Sequence, residues 1–338
     1  MPRSLLESVF AICLQGEGFI NYRQPPRLSD HKGEKRQVGF ELEFTGLTLE
    51  QTTKQLLLTL EGTEVSRTEA SIKIDTGLGK FTVELDWDYL KKEAENPDDN
   101  NYLSMLRDAA SLIVPIEVVC PPIDIDKLAQ LDPMVQALYD AGARGTDDSL
   151  IAAYGVHINP SLPALDAATL DAYLRAFALL QWWLVRANRI DLSRRITPYI
   201  DLYPEKYLLK LLATESPDQA TIIDTYLEFN ATRNRALDML PLFSYLDQSR
   251  VEAKIDDSRI KSRPTFHYRL PNSLIGSADW NLAESWNLWC VVEELADRPQ
   301  DLRALSEDFI EARRPLLGVD HDFWVDKIER WLHKVALV

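Results

Sequence analysis

"VGFELEF", residues 38–44, sets two glutamates one residue apart in an otherwise apolar stretch. Side chains alternate between the faces of a β-strand, so residues two apart share a face. In that register Val38, Phe40, Leu42 and Phe44 form one apolar face, and Gly39, Glu41 and Glu43 form the other. Taken alone, the stretch reads as an edge strand with a solvated acidic side. A second reading arises because the same register recurs along the chain.

In "KFTVELDWD" (80–88), Phe81, Val83, Leu85 and Trp87 oppose Thr82, Glu84, Asp86 and Asp88. In "VPIEVVC" (114–120), Glu117 lies among Ile116, Val118 and Val119, so a mostly apolar strand carries a carboxylate. "GVHINP" (155–160) sets Gly155, His157 and Asn159 against Val156 and Ile158, and "PTFHYRLP" (264–271) sets Thr265, His267 and Arg269 against Phe266, Tyr268 and Leu270. If these five strands share one sheet with helices behind its apolar side, their polar faces converge on one surface.

Carboxylates gathered there repel one another, by about 4 kcal/mol per pair at 4 Å and an effective dielectric near 20. Either they become harder to ionise or a cation sits among them. Carboxylate oxygens with one imidazole suit a hard ion such as Mg²⁺ or Mn²⁺ better than zinc. A metal surface with a nearby arginine is a provision for phosphoryl transfer, in which ions and guanidinium groups neutralise phosphate charge. For each acid alone, and for Asp86 and Asp88 in particular, a solvated surface position is the plainer reading.

The chain has 338 residues, enough for one large domain or two smaller ones. Its 53 acidic residues outnumber 37 basic ones, giving a net charge of -16 that repels phosphate backbones and argues against nucleic acid as a partner. Cys13, Cys120 and Cys290 are too few and too scattered for a disulfide framework or a CxxC metal site, and suit a reducing cytoplasm. No apolar run approaches the roughly 20 residues of a membrane helix. A cytoplasmic protein with no membrane partner is expected. There is no GxxxxGK[ST], HExxH, GxSxG or GxGxxG motif. Paired carboxylates could serve a glycosidase, but that mechanism needs only two and leaves Arg269 unexplained.

Residues 1–36 read as a polar leader, and 37–338 as a single domain whose part from about 300 to 338 is helical. Gly77 and Gly79 predict a hairpin between "ASIKID" and "KFTVELDWD". Helices are predicted for "DNNYLSMLRDAASLI" and "DPMVQALYDAGARG". Beyond residue 165 the period shifts to 3.6, and six further helical stretches follow, from "DAATLDAYLRAFALLQWWLVRANRI" to "HDFWVDKIERWLHKVAL". One late strand, "RPTFHYRLPN", returns to the sheet. The expectation is an α+β protein. The tryptophans of "QWWL" and "WNLWC" read as core. For "NATRNRALDMLPL", Asn230, Arg233 and Arg235 read equally as ligands of a substrate carboxylate or ATP phosphate or, for the arginines, as helix-surface residues.

The ordered set "GFELEF", "FTVELDWD", "IEVVCPP", "GVHINPS" and "FHYRLPN" resembles the amidoligase family, carboxylate–amine ligases of the glutamine synthetase and γ-glutamylcysteine ligase superfamily. The resemblance covers roughly residues 36–290. It implies a curved, mainly antiparallel sheet with helices on its apolar face, whose concave face holds Mg²⁺ and ATP. ATP phosphorylates a carboxylate, which is a small molecule or a peptide, and an amine attacks the acyl phosphate to form an amide. By position, Glu41, Glu43, Glu84 and Glu117 correspond to metal ligands. His157 and Arg269 correspond to catalytic groups at metal or phosphate, and both are expected at the nucleotide; Asn159 and Arg233 are expected there too, Arg233 from its own donor chemistry and not from the resemblance. Two departures stand out: His267 occupies a position where such enzymes often carry glutamate, and Asn159 stands where a second histidine is frequent. Active sites of glutamine synthetases lie between subunits, so a homo-oligomer is also implied. Two alternatives stay open: an inactive amidoligase-like binding or scaffold protein, and another metal-dependent phosphoryl-transfer or hydrolytic enzyme.

Overall fold

The computed structural model describes residues 21–85, 115–148, 154–190 and 200–337. The chain divides into two compact units. A sheet unit consists of Gln37–Ile158 with Pro271–Leu282, and a helical unit of the segment ending at Arg36, Asn159–Leu270 and Ala283–Val338.

The sheet unit is organised around β1 (Gln37–Phe44), the strand that carries Glu41 and Glu43. The other strands are β2 (Thr63–Arg67), β3 (Ser71–Thr76), β4 (Gly79–Leu85), β5 (Ile116–Val119), β6 (Ile123–Asp124) and β7 (Val156–Pro160). Their order is β2-β3-β4-β5-β1-β6, with β7 also pairing β1. The pairs along that path are antiparallel. Leu42 lies opposite Val118, and Val118 opposite Val83, so the apolar alternation stays in phase across three strands. Val38, Phe40, Leu42, Phe44, Val83 and Val118 are all fully buried. Each such side chain contributes roughly 1.5–3 kcal/mol. A slip of one residue would drive Glu41 and Glu43 into that core, which is why the register is fixed. Between β5 and β6 the pairing with β1 slips by one residue across Cys120–Pro122, where two prolines lack the N–H that a ladder needs.

The apolar face is covered by α1 (Leu49–Thr59), which packs on β3 and β4, and by α2 (Asp132–Asp140), which packs on α1. The sequence pattern, read as period two through this region, did not disclose α1. Its start is a capping box: Gln51 N–H donates to Thr48 Oγ1 at 3.2 Å, and Thr48 N–H donates to Gln51 Oε1 at 2.9 Å. α2 ends at Gly142, whose φ of 101° suits glycine and whose N–H satisfies the Tyr139 carbonyl. The hairpin at Gly77 forms between β3 and β4. The helix expected over "DNNYLSMLRDAASLI", together with Asp86 and Asp88, lies outside the described residues.

In the helical unit, α3 (Ala167–Ala187) is buried around most of its circumference. Against it pack α4 (Glu205–Ala213), α5 (Gln219–Asn230), α9 (Pro299–Ala312) and α10 (His321–Lys334). Two short helices, α6 (Leu240–Leu246) and α7 (Gln248–Glu252), precede α8 (Leu282–Ala296). Trp183, Trp286 and Trp289 are fully buried, as core residues should be. Residues of the expected leader belong to this unit. Trp286 Nε1 donates to the Arg23 carbonyl at 2.8 Å, and Arg36 pairs with Glu293 at 2.6 Å with both side chains wholly buried.

The expected late strand is corrected. Residues 264–271 form no ladder, only isolated bridges from Thr265 to Ser161 and from Tyr268 to Leu237. Pro264 and Pro271 bracket the stretch and donate no hydrogen bonds, and its N–H groups go to several partners: Phe266 to Pro160 and Arg269 to Ala236. Among the described residues, no helix is long and apolar enough to cross a membrane.

Candidate metal centre

On the face of the sheet opposite the core, Glu43, Glu117 and Glu84 form a row across β1, β5 and β4. Glu43 lies directly opposite Glu117, and Glu117 directly opposite Glu84. Like charges in such positions destabilise a sheet unless something compensates. All three are only partly exposed.

β7 brings His157 to this row. His157 Nδ1 lies 2.9 Å from Glu41 Oε2, and Nε2 lies 3.5 Å from Glu43 Oε1. Ligand atoms of Glu43, Glu117 and His157 all lie within 4.8 Å of one another. A neutral imidazole has one donor. If Nδ1–H donates to Glu41, the Nε2 lone pair faces the carboxylate of Glu43, and a proton or a metal ion must sit between them. A carboxylate on one histidine nitrogen that orients the other towards a metal is a recurring arrangement. Glu41 fits that orienting place, and Glu43, Glu117 and Nε2 of His157 offer a donor set suited to a hard divalent cation.

Gly155 keeps this space clear. Its N–H donates to Glu43 Oε2 at 2.8 Å. A Cβ placed there would stand 3.1 Å from His157 Nε2 and 3.4 Å from Glu43 Oε2, crowding both groups from one side. Burial, with the charge of Glu41 added, pushes the Cys120 thiol well above its ordinary range, so it stays protonated beside the acids. Glu84 is aligned with the row but is not among the atoms gathered within 4.8 Å.

The helical unit holds Asn159, Arg233 and Arg269. Arg269 Nη1 donates to the Arg233 carbonyl, and Arg269 N–H donates to Ala236 O at 2.8 Å. The Arg233 guanidinium is lowered by burial first, then by the charges of Arg259 and Arg269, against the opposing pull of Asp257 and Asp238. Guanidinium groups held together at this cost suit an anion. Asn159 Oδ1 accepts from Arg263 Nη2 at 2.8 Å. His267 stands beside the buried Asp238, with Nδ1 3.5 Å from Oδ2, while Asp238 Oδ1 accepts the Leu240 N–H at 3.0 Å.

Sequence reasoning did not find Asp238, Arg259 or Arg263. For Asp238 a signal existed, an acid in the apolar run "ALDMLPL". Arg259 and Arg263 lie in an irregular segment with no period to read.

A family model described as "Putative amidoligase enzyme" matches residues 34–291. The match spans most of the chain and includes both units' candidate residues, and the chain belongs to the amidoligase family. Membership points to a ligase. No curated protein matches the chain.

Proposed function

We propose that the chain is an ATP- and Mg²⁺-dependent carboxylate–amine ligase, with Mn²⁺ able to replace Mg²⁺, built on a glutamine synthetase-like sheet. The observation that carries this reading is the convergence of Glu43, Glu117 and His157 around a space that Gly155 leaves clear. Glu43, Glu117 and Nε2 of His157 would hold the ion, with Glu41 orienting His157 and Glu84 beside Glu117. Bound there, Mg²⁺ supplies positive charge to phosphate oxygens.

The chain's own groups would do the rest. Arg233 and Arg269 bind phosphate, Asn159 fixes Arg263, and no covalent bond to the enzyme is needed. A substrate carboxylate oxygen takes the γ-phosphoryl group and ADP leaves. The amine nitrogen then bonds to the acyl carbon as the carbon–oxygen bond to phosphate breaks, and the amine's proton departs with inorganic phosphate.

The test is ADP release measured with pools of acids and amines supplied separately and together. Release only when both are present supports the ligase. Release with either alone, or with water as the acceptor, favours a hydrolase. Mg²⁺-ATP binding without turnover across broad pools overturns the catalytic reading.

A further inference from the structure

The turn between α9 and α10 holds two leucines out in solvent. Of the eight large apolar residues exposed among the described ones, four lie in this stretch: Leu316 is 103% exposed, Leu317 75%, Phe323 51% and Ile310 39%. α9 and α10 run antiparallel, with Lys327 Nζ 2.7 Å from Asp308 Oδ2 and Trp331 Nε1 donating to Asp301 Oδ2 at 3.1 Å. Continued towards the tip, that register sets Ile310 opposite Phe323, with the leucines just beyond. At roughly 150–250 Å² for a whole large side chain, the four expose on the order of 400–600 Å². An apolar patch of that size is at the upper end of what a soluble monomer leaves open, and such patches mark interaction sites.

The turn is built to hold this shape. Leu317 N–H and Gly318 N–H donate to the Arg314 carbonyl at 3.2 and 3.0 Å, and Arg314 N–H donates to the Gly318 carbonyl at 3.0 Å. Leu316 is the second central residue of the turn from Arg314 to Leu317 and has a φ of 68°. Glycine or asparagine is the usual occupant of such a position, and a bulky side chain there is strained. Glu205, at the start of α4, ties the turn down: its Oε2 accepts the Val319 N–H at 3.4 Å, and a Cβ on Gly318 would strike its carboxylate. Neither the backbone nor any packing within the chain calls for leucine at 316. Strain that the surroundings hold in place clusters where a surface has work to do.

The rim of the patch carries both signs of charge. Arg313 and Arg314 precede the leucines, and Asp320 and Asp322 follow them. Within one copy Arg314 pairs with Asp320 at 3.0 Å, Arg313 lies 3.7 Å from Glu205, and Arg186 pairs with Asp322. The four rim side chains are about half exposed or more, and ion pairs so exposed contribute little, so they can change partners at small cost. A two-fold axis beside the leucines sets the arginines of each copy against the aspartates of the other, the self-complementarity that a contact of this symmetry requires. With the rim added, each copy would bury close to the roughly 800 Å² that a standard interface takes from one partner. The net charge of -16 opposes association at long range, but that repulsion is screened beyond about 8 Å at physiological salt. The family match ends at residue 291, before α9, so this surface lies outside the part of the chain shared with the family.

We propose that the tip of α9 and α10 is a two-fold interface between copies of this chain. Leu316 and Leu317 pack at its centre, and Arg313 and Arg314 face Asp320 and Asp322 of the other copy. The interface does not depend on the ligase reading.

The experiment is sedimentation equilibrium of the full chain at about 1–100 μM in physiological salt. It compares wild type, Leu316→Ser/Leu317→Ser, Arg313→Glu/Arg314→Glu and Asp322→Arg, each with a melting transition like that of wild type. Wild type should show a monomer–dimer equilibrium, and the leucine variant should dissociate at least about tenfold more readily. Each charge variant alone should also dissociate, because the two-fold axis then sets like charges together. Mixed in equal amounts, the two charge variants should associate again, since every facing pair is then of opposite sign. That rescue is independent of how the leucine variant behaves. A wild type that stays monomeric throughout overturns the proposal. So do a dimer untouched by the leucine substitutions and charge variants that fail to associate when mixed. A monomer that attaches through these leucines to vesicles of phosphatidylserine and phosphatidylcholine overturns it as well.

Discussion

Glu117→Gln should stabilise the metal-free protein and abolish its response to Mg²⁺. Glu117 is the middle of the row, opposite Glu43 on one side and Glu84 on the other, and partly buried. Two carboxylate oxygens at the 4.8 Å limit of the gathered group repel by about 0.9 kcal/mol at the dielectric of water and about 3.5 kcal/mol at an effective value of 20. Cross-strand pairs measured in sheets fall near the lower bound, at roughly 0.2–1 kcal/mol. The amide removes this repulsion from Glu43 and relieves Glu84, which stands opposite Glu117 outside the gathered group. The expected gain is about 1 kcal/mol, or roughly 2–4 °C in melting temperature. Wild type should in turn gain about 1.4 kcal/mol when Mg²⁺ stands at ten times its dissociation constant. The assay is a thermal melt of both proteins in chelator and across a Mg²⁺ series. A metal-free Glu117→Gln that melts below wild type, or one that keeps the full Mg²⁺ shift, would refute the argument that repulsion and metal binding share this row.

Three further outcomes are expected. Gly155→Val crowds His157 Nε2 and the Glu43 carboxylate from one side, so Mg²⁺-dependent stabilisation should fall in a protein whose far-UV circular dichroism matches wild type. Removing one partner of the buried Arg36–Glu293 pair, as in Glu293→Leu, should cost at least about 3–5 kcal/mol in denaturant melts, because Tyr173 and Trp289 also lose their acceptor; a loss below about 1 kcal/mol would contradict this. The hydrogen bonds from Arg259 hold Asp257 down at about 2, so the stability that pair provides is complete above the ordinary aspartate range and is lost as pH falls through about 2. In Arg259→Ala the carboxyl titration, followed by NMR, should move up toward the ordinary aspartate range, held partly down by the backbone N–H of residue 259 and by Arg233.

The carboxylate row was legible because it depends on two local rules. Alternation puts Glu41, Glu43, Glu84 and Glu117 on polar faces, and the buried valines and phenylalanines lock the register that aligns them. His157 was legible for the same reason, lying between Val156 and Ile158 on a strand. What alternation cannot give is the division of labour. That Glu41 faces Nδ1 while Glu43 faces Nε2 depends on how β7 lies against β1, a pairing about 116 residues apart in sequence. The stretch around His267 and Arg269 has perfect alternation yet forms no strand, because its backbone groups are claimed by separate segments bracketed by prolines. α1 went unread although Thr48 and Gln51 carried its start signal, since the strands around it dominated the pattern.

Whether the carboxylate row holds a metal that carries ATP is decided by calorimetric titration of ATP with and without Mg²⁺, on wild type and on Glu43→Ala/Glu117→Ala. Wild type should bind ATP only with the metal present, and the variant should not bind it, with both proteins folded. Metal-independent binding, or binding that survives the double substitution, would contradict it.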